Sequence, residues 1–343
     1  MVKEIKYKSD KMKKILILGG AGFIGSYLTR KLLDENYSIT TVDNFSKYGY
    51  IEHDFYKNPK FRLINKDIRM MYPHEFKGYD VILCVAALIG GIKYFHSIPY
   101  RIAKENTEIL TKAIDYTLAG SPNAIFYYFS SSMVYEKAQN SVVEGDELVL
   151  SPPITNYGMQ KLFGEYLVKG AHDEFGLNYV IVRPFNAVGA GELPSIKSTG
   201  ELEFGMSHVI PDFVYKAIIK QSPFEILGDG KQIRTFTHVK DIADAISIMI
   251  KNSSKNTDFN ICGGEINTIS IEDLAISIWE KVNSGIRMPK FKHLLAPSDD
   301  VRFRVGVSKK AENLLGWKPT YNLDYITNDV IKFINNNLDK IKK

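Results

Sequence analysis

The stretch ILILGGAGFIGSYL, residues 15–28, decides how this chain is read. An apolar run ends abruptly in glycine, which describes a buried strand that stops in a turn. From Phe23 onward the spacing becomes helical, with Ile24, Leu28 and Leu32 on one face. Between the two, Gly19, Gly22 and Gly25 fall three residues apart. Glycines there let the backbone approach a pyrophosphate closely, and the helix N-terminus adds free N–H groups and a partial positive charge. A glycine motif alone also describes any tight turn. Here the order strand, turn, helix supports the dinucleotide reading, and SITTVD places Asp43 at the end of the next strand.

A carboxylate at the position of Asp43 can accept from both ribose hydroxyls and repel a 2′-phosphate. NAD rather than NADP is therefore the expected cofactor, although Asp43 in DNFS could also be an ordinary turn residue. Phe23, Ile24 and Asn44 are expected beside the same ligand, and Asp67 with Ile68 where an adenine could be held. Ala86 and Ala87, in the small-residue stretch AALIGG, are expected near the next phosphate or the nicotinamide ribose, with Asn106 among the cofactor contacts.

Working outward, FRLINKDI, YDVILCVAA, AIFYYFSSS and NYVIVRPFN read as further strands, and GMQKLFGEYLVKGAHDEF as a long helix. Alternating strands and helices imply right-handed crossovers and a doubly wound parallel α/β sheet of Rossmann type. After Asn186 the texture changes. GAGELPSIKSTGELEFGMS reads as a long loop, of a length uncommon unless functional. Short strands (FEILGD, TFTHV, FNICGG) then mix with helices (DIADAISIMI, SIEDLAISIWEKV), which suggests a smaller interleaved C-terminal domain.

Of the 343 residues, 45% are hydrophobic and 24% charged, ordinary for a soluble globular protein. The net charge of +5 is dispersed, which suits a small anionic substrate and gives no basic aromatic patch for nucleic acid. The two cysteines, Cys84 and Cys262, read as buried, reduced thiols; no metal site is expected. The first eleven residues read as a frayed terminus with no secretory leader. No apolar run approaches the ~20 residues that span a bilayer, so a cytoplasmic protein without membrane contact is expected.

The reactive groups are Tyr157 and Lys161, four apart on one helix face, and Ser131, ending a strand that opens onto the ligand crevice. A tyrosine of ordinary pKa, about 10, is a poor base near neutrality. A nearby lysine cation and a positive nicotinamide ring would stabilise its phenolate.

With these motifs the chain resembles the extended short-chain dehydrogenase/reductases that act on nucleotide sugars. The resemblance runs from GGAGFIG through SSSMVY, Tyr157-GMQ-Lys161 and RPFNAVG to LGWKP. It implies an NAD-binding domain over 12–186 with 236–262 contributing back, and a nucleotide-sugar domain over 187–235 and 263–340. It further implies oxidation at C4 of the sugar by a triad of Ser131, Tyr157 and Lys161, and a homodimer built on helices flanking Tyr157. Asn186 is similar to a substrate contact of the family. Arg234 and Arg302 are similar to the arginines that hold the nucleoside diphosphate, a task suited to a planar guanidinium fork.

Within YYFSSSMVYE, residues 127–136, the dehydratases of this family carry an Asp-Glu pair where Ser132 and Met133 stand. Methionine cannot transfer a proton, so a 4,6-dehydratase is the less favoured outcome. Gly91 and Ile92 lie in IGGIKYF, which matches a glycine loop of GDP-mannose 3,5-epimerase and GDP-fucose synthase. His208, in MSHVIPDF, resembles the synthase's histidine and is a candidate acid/base, with His96 a weaker one. Simple C4 epimerisation needs only the triad and is the default expectation. Epimerisation at C3 or C5 through His208 and an oxidase releasing the 4-keto sugar are rivals. A non-catalytic NAD-binding regulator is disfavoured because all three triad residues are kept.

Overall fold

A computed structural model describes residues 13–197, 203, 205–296 and 300–341. The first eleven residues, residue 12 at the expected domain start, and 198–202 and 204 of the long loop lie outside the described residues. In chain order, β1 (Lys14–Leu18), α1 (Phe23–Asp34), β2 (Ser38–Asp43), β3 (Phe61–Asn65) and β4 (Val81–Cys84) come first. Next are α2 (Ile92–Ser97), α3 (Pro99–Gly120), β5 (Ile125–Phe129), α4 (Asn156–Phe175) and β6 (Asn178–Pro184). Then follow β7 (Ala187–Val188), α5 (Val209–Ile218), β8 (Phe224–Leu227), β9 (Ile233–Thr235), β10 (Thr237–His238), α6 (Val239–Lys251) and β11 (Thr257–Ile261). The last part holds β12 (Thr268–Ser270), α7 (Ile271–Val282), β13 (Phe291–Leu294), β14 (Phe303–Arg304), α8 (Lys309–Leu315) and α9 (Leu323–Asn335).

The main sheet has seven strands in the order β3-β2-β1-β4-β5-β6-β11, every pairing parallel. Alternation along β1 divides the core into two layers. Ile15 and Ile17 pack with Leu28 and Leu32 of α1 and with Ile242 and Ile246 of α6. Leu16 and Leu18 point the other way, onto Leu110 and Ala113 of α3 and Val168 of α4. Each of Leu28 and Leu32 is fully buried and stabilises the fold by roughly 1.5–3 kcal/mol. Phe259–Ile261 of FNICGG lie in β11, the seventh strand, which pairs with β6 at the edge of the main sheet within the 236–262 segment expected to return to it. The strand order reverses between β1 and β4, and in such sheets ligands bind at that switch point, outside the carboxyl ends of the strands.

The remaining elements form a second core. Phe213 and Val214 of α5, Leu274 and Trp279 of α7, and Ile326 and Val330 of α9 close around Phe224 of β8. A three-stranded sheet, β12-β9-β14, and a two-stranded one, β13-β8, accompany it. The two cysteines are free and buried. Among the described residues no helix is long and apolar enough to cross a membrane.

Candidate active site

The turn after β1 sets the geometry of the site. A Cβ on Gly25 would lie 2.0 Å from the Gly19 carbonyl oxygen and 2.7 Å from Gly20 Cα, so only glycine lets α1 rise this close to the turn. Gly22, the N-cap residue of α1, has no side chain to satisfy the first turn. The amides of Phe23, Ile24 and Gly25 therefore start the helix without an intrahelical acceptor. They open onto a cavity of about 450 Å³ lined by Gly19, Gly22, Phe23, Ile24, Gly25, Asp43, Asn44, Asp67, Ile68, Ala86 and Ala87. Its volume is that of an ordinary small-ligand site. Asp43 ends β2 with one carboxylate oxygen accepting from Ala21 N (3.0 Å) and the other from Phe45 N (2.9 Å). Each oxygen keeps a lone pair for a hydroxyl. Free helix amides for a pyrophosphate and a carboxylate for a ribose are the donor and acceptor set a dinucleotide requires, so the residues fit NAD.

Two expected cofactor contacts stand differently. Asp67 lines the cavity but is gripped by Arg69 (2.7 and 3.0 Å) and takes a hydrogen bond from Asn44 Nδ2 (3.2 Å). Hydrogen bonding to Arg69 holds its carboxyl below the usual range. Asn106 is absent from the lining. It is buried, and its amide accepts from Leu88 N (2.6 Å) and donates to Leu88 O (3.1 Å), so it fixes the loop that carries Ala86 and Ala87.

At the far end of the cavity, β5 delivers Ser130 and Ser131, and a single turn, Ser132–Tyr135, follows. Ser131 Oγ accepts from Met133 N (3.2 Å) and lines the same cavity wall as Tyr157. Tyr157 enters at the start of α4, whose N-cap Thr155 accepts from Gly158 N (3.1 Å). The carboxylate of Glu136 holds that cap from below through Thr155 N (3.1 Å) and Oγ1 (2.8 Å). Burial pushes the Tyr157 phenol up, opposed by the neighbouring Ser131 hydroxyl and the charge of Arg304.

Lys161, one turn on, is buried, lies 5.8 Å from the Tyr157 ring centroid and donates to Phe129 O (2.8 Å). Burial pushes its amine down to about 8, with Cys84 and Glu165 opposing. Lys161 thus stands beside the Tyr157 ring, and the charge of Arg304 also favours that phenolate.

The cavity wall also contains Gly91, Ile92, Ser132, Met133, Asn186, His208 and Arg234. Met133 is buried in one cluster with Tyr157, Ile102 and Val301. A Cβ on Gly91 would fall 2.2 Å from Ser207 O and 2.4 Å from Gly205 O, so the GG loop can lie against the His208 segment only without a side chain. Asn186 donates to Thr235 O (2.7 Å). His208 Nδ1 contacts Glu192 Oε1 at 2.5 Å, a pairing that leaves Nε2 for other contacts. Burial raises the Glu192 carboxyl, but the His208 and Lys47 charges outweigh it and hold the group low. Arg234 lies 3.5 Å from Asp300.

Arg302 is the one expected diphosphate contact that the structure turns away. Its guanidinium is exposed and bound in bidentate fashion by Asp229 (2.8 and 2.9 Å). Arg304, two residues on, lines the cavity in its place. Phe95 was also not anticipated: its ring stacks on Tyr157, centroids 4.4 Å apart and planes 8° apart. No spacing rule links a loop phenylalanine to a helix tyrosine. Arg304 was visible only as the second of two arginines in DDVRFRV.

Residues 15–262 match the sequence model of the NAD dependent epimerase/dehydratase family. A curated relative, the putative UDP-glucose 4-epimerase of Methanocaldococcus jannaschii, is 29% identical over 326 residues, covering 94% of this chain and 99% of that one. The structure is similar to UDP-N-acetylglucosamine 4-epimerase from Methanobrevibacter ruminantium, solved with UDP-N-acetylmuramic acid (TM-score 0.80, 25% identity, 95% of this chain and 99% of that one). It is also similar in fold to dTDP-glucose 4,6-dehydratase from Streptomyces venezuelae, solved with NAD bound (TM-score 0.83, 20% identity, 95% and 98%).

Proposed function

The chain belongs to the NAD-dependent epimerase/dehydratase family, with NAD as its cofactor, and from that premise we propose that it is a nucleotide-sugar 4-epimerase acting on uridine-diphosphate sugars. One observation carries this reading. Ser131 and Tyr157 line one cavity wall, while the buried residue packed with Tyr157, Met133, has no proton to give. That set supports oxidation and reduction at one carbon and supplies no acid for expelling water.

When bound, NAD supplies the oxidant at C4 and returns the same reducing equivalent, so the reaction is an isomerisation. The chain's own residues handle the proton. The Tyr157 phenolate takes it from the C4 hydroxyl, and Ser131 donates to the same substrate oxygen. Lys161 keeps its amine on Phe129 O behind the tyrosine, where its charge favours the phenolate. Phe95, stacked on Tyr157, fixes the ring plane and keeps water off it. Arg234 is proposed to grip the diphosphate. Inversion requires the keto sugar to turn over before it is reduced on the other face.

A second reading rests on the His208–Glu192 pair: an imidazole oriented by a buried carboxylate is the arrangement of a general base, and it favours exchange at C3 or C5. Incubation with UDP-glucose, UDP-N-acetylglucosamine and UDP-glucuronate in deuterated water, followed by NMR, separates the two. Inverted C4 without deuterium incorporation is expected. Deuterium at C3 or C5 would replace the 4-epimerase reading with the second one, and a 6-deoxy-4-keto product would defeat the argument from Met133. A homodimer is also proposed. Met159, Phe163 and Tyr166 of α4 are all exposed at helical spacing, and sedimentation as a monomer would exclude it.

A further inference from the structure

Asp212, in the first turn of α5, is a carboxylate only 1% exposed that takes no part in the chemistry of Ser131 and Tyr157. Burying such a group is costly unless hydrogen bonds compensate. Both of its oxygens are used: Oδ1 accepts from Ser207 Oγ, and Oδ2 from Gly205 N (3.1 Å). Burial pushes the carboxyl up, opposed by these two hydrogen bonds and by the charge of Lys216. Both donors lie in the short loop before α5. Gly205 sits there at φ +80°, a left-handed conformation that glycine adopts freely.

The same loop carries α2. Met206 O accepts from Gly91 N (2.7 Å), and Gly205 O accepts from Lys93 N (3.0 Å). The approach is close enough that a Cβ on Gly90 would fall 2.9 Å from Met206 O. α2 fully buries none of its own side chains, so these backbone bonds rather than core packing fix where it starts. One turn on from Gly91, Phe95 stacks on Tyr157 with centroids 4.4 Å apart. A continuous line of contacts therefore runs from the buried carboxylate to the loop, from the loop to α2, and from α2 to the catalytic ring.

We propose that Asp212 is a positioning residue for the reaction: it holds the 205–207 loop in the shape that seats α2, and so sets Phe95 against Tyr157. This deepens the 4-epimerase reading and rests on it for the role of Tyr157. Asp212→Asn keeps the side-chain volume but puts an amide NH2 where one of the two donors points, so one anchor is lost. The loop then loosens, α2 moves with it, and the ring of Tyr157 loses its stacking partner.

The test compares NAD-loaded wild type, Asp212→Asn, Phe95→Leu and the double variant. It measures kcat and KM for C4 inversion of UDP-glucose and UDP-N-acetylglucosamine, and amide hydrogen exchange over residues 88–97 and over β1. Asp212→Asn is expected to lower kcat between about tenfold and a hundredfold while KM changes less than about threefold. In the Phe95→Leu background the same substitution should change kcat less than about twofold, because the two act through one contact. Exchange over 88–97 should quicken while β1 stays protected. Ser207→Ala removes the same anchor from the loop side, is expected to act in the same direction, and serves if Asp212→Asn fails to fold. Unchanged exchange over 88–97, or an equal rise in β1, overturns the proposal, the second because Asp212 would then serve general stability. So does a raised KM with unaltered kcat, which would make Asp212 a substrate contact, and so do fully additive effects with Phe95→Leu. If wild type inverts neither sugar, the 4-epimerase reading fails alone: faster exchange over 88–97 in Asp212→Asn still upholds the anchor, and unchanged exchange still overturns it.

Discussion

Lys161→Met should make the protein more stable at neutral pH while it abolishes turnover. The side chain is 5% exposed, and burial lowers its amine from 10.5 to about 8. At about 1.4 kcal/mol for each tenfold change in proton affinity, keeping that ammonium charged in the fold costs roughly 3 kcal/mol. Methionine removes the charge and fills similar volume, but it leaves Phe129 O without its donor (2.8 Å), which costs about 1 kcal/mol. The net gain at pH 7 is then about 2 kcal/mol. The sign with pH follows from the direction of the shift. A lysine whose folded pKa is depressed penalises the fold below about pH 8, and the penalty is relieved as pH rises from about 8 towards 10.5. The advantage of the variant should therefore be full at pH 7 and nearly gone at pH 10. Urea unfolding of both proteins, stripped of NAD so that ligand linkage does not contribute, measures this directly. A variant less stable than wild type at pH 7, or a difference that does not narrow by pH 10, refutes the reasoning. In this view the buried lysine is kept for chemistry at the expense of stability.

Gly25→Ala forces a methyl into the Gly19 carbonyl (2.0 Å), so α1 must lift from the turn; NAD affinity by fluorescence titration should fall at least tenfold, and an unchanged Kd would contradict the packing argument. Arg183→Met should cost about 3–5 kcal/mol, because the fully buried guanidinium is held by Glu165 (2.6 Å), Glu147 (2.9 Å) and Asp258 (2.7 Å), whose charges would be stranded. Thermal unfolding should show a drop of several degrees, and a shift of a degree or less would refute it. Asn106→Leu frees the Leu88 backbone (2.6 and 3.1 Å) and should raise the Kd for NAD while global stability falls by only about 1–3 kcal/mol; an unaltered Kd would show that the loop keeps its shape without the clamp.

The sequence by itself determined the nucleotide half. Strand, glycine turn and helix are local patterns, and a sheet of strands buried on both faces leaves apolar runs that can be read directly, as in ILIL, residues 15–18. Asp43, Ser131 and Tyr157 were legible for the same reason, since each sits at the end of a strand or the start of a helix that its neighbours announce. Only the tertiary structure decided the opposite wall of the cavity. Whether Arg302 or Arg304 enters the cavity depends on a bend before β14 and on that strand's pairing with β9. Phe95 reaches Tyr157 from a different element, and Glu192 reaches His208 across 16 residues. These contacts join segments whose separation carries no period, so no pattern in the chain encodes them. The packing of one core against the other brings them together.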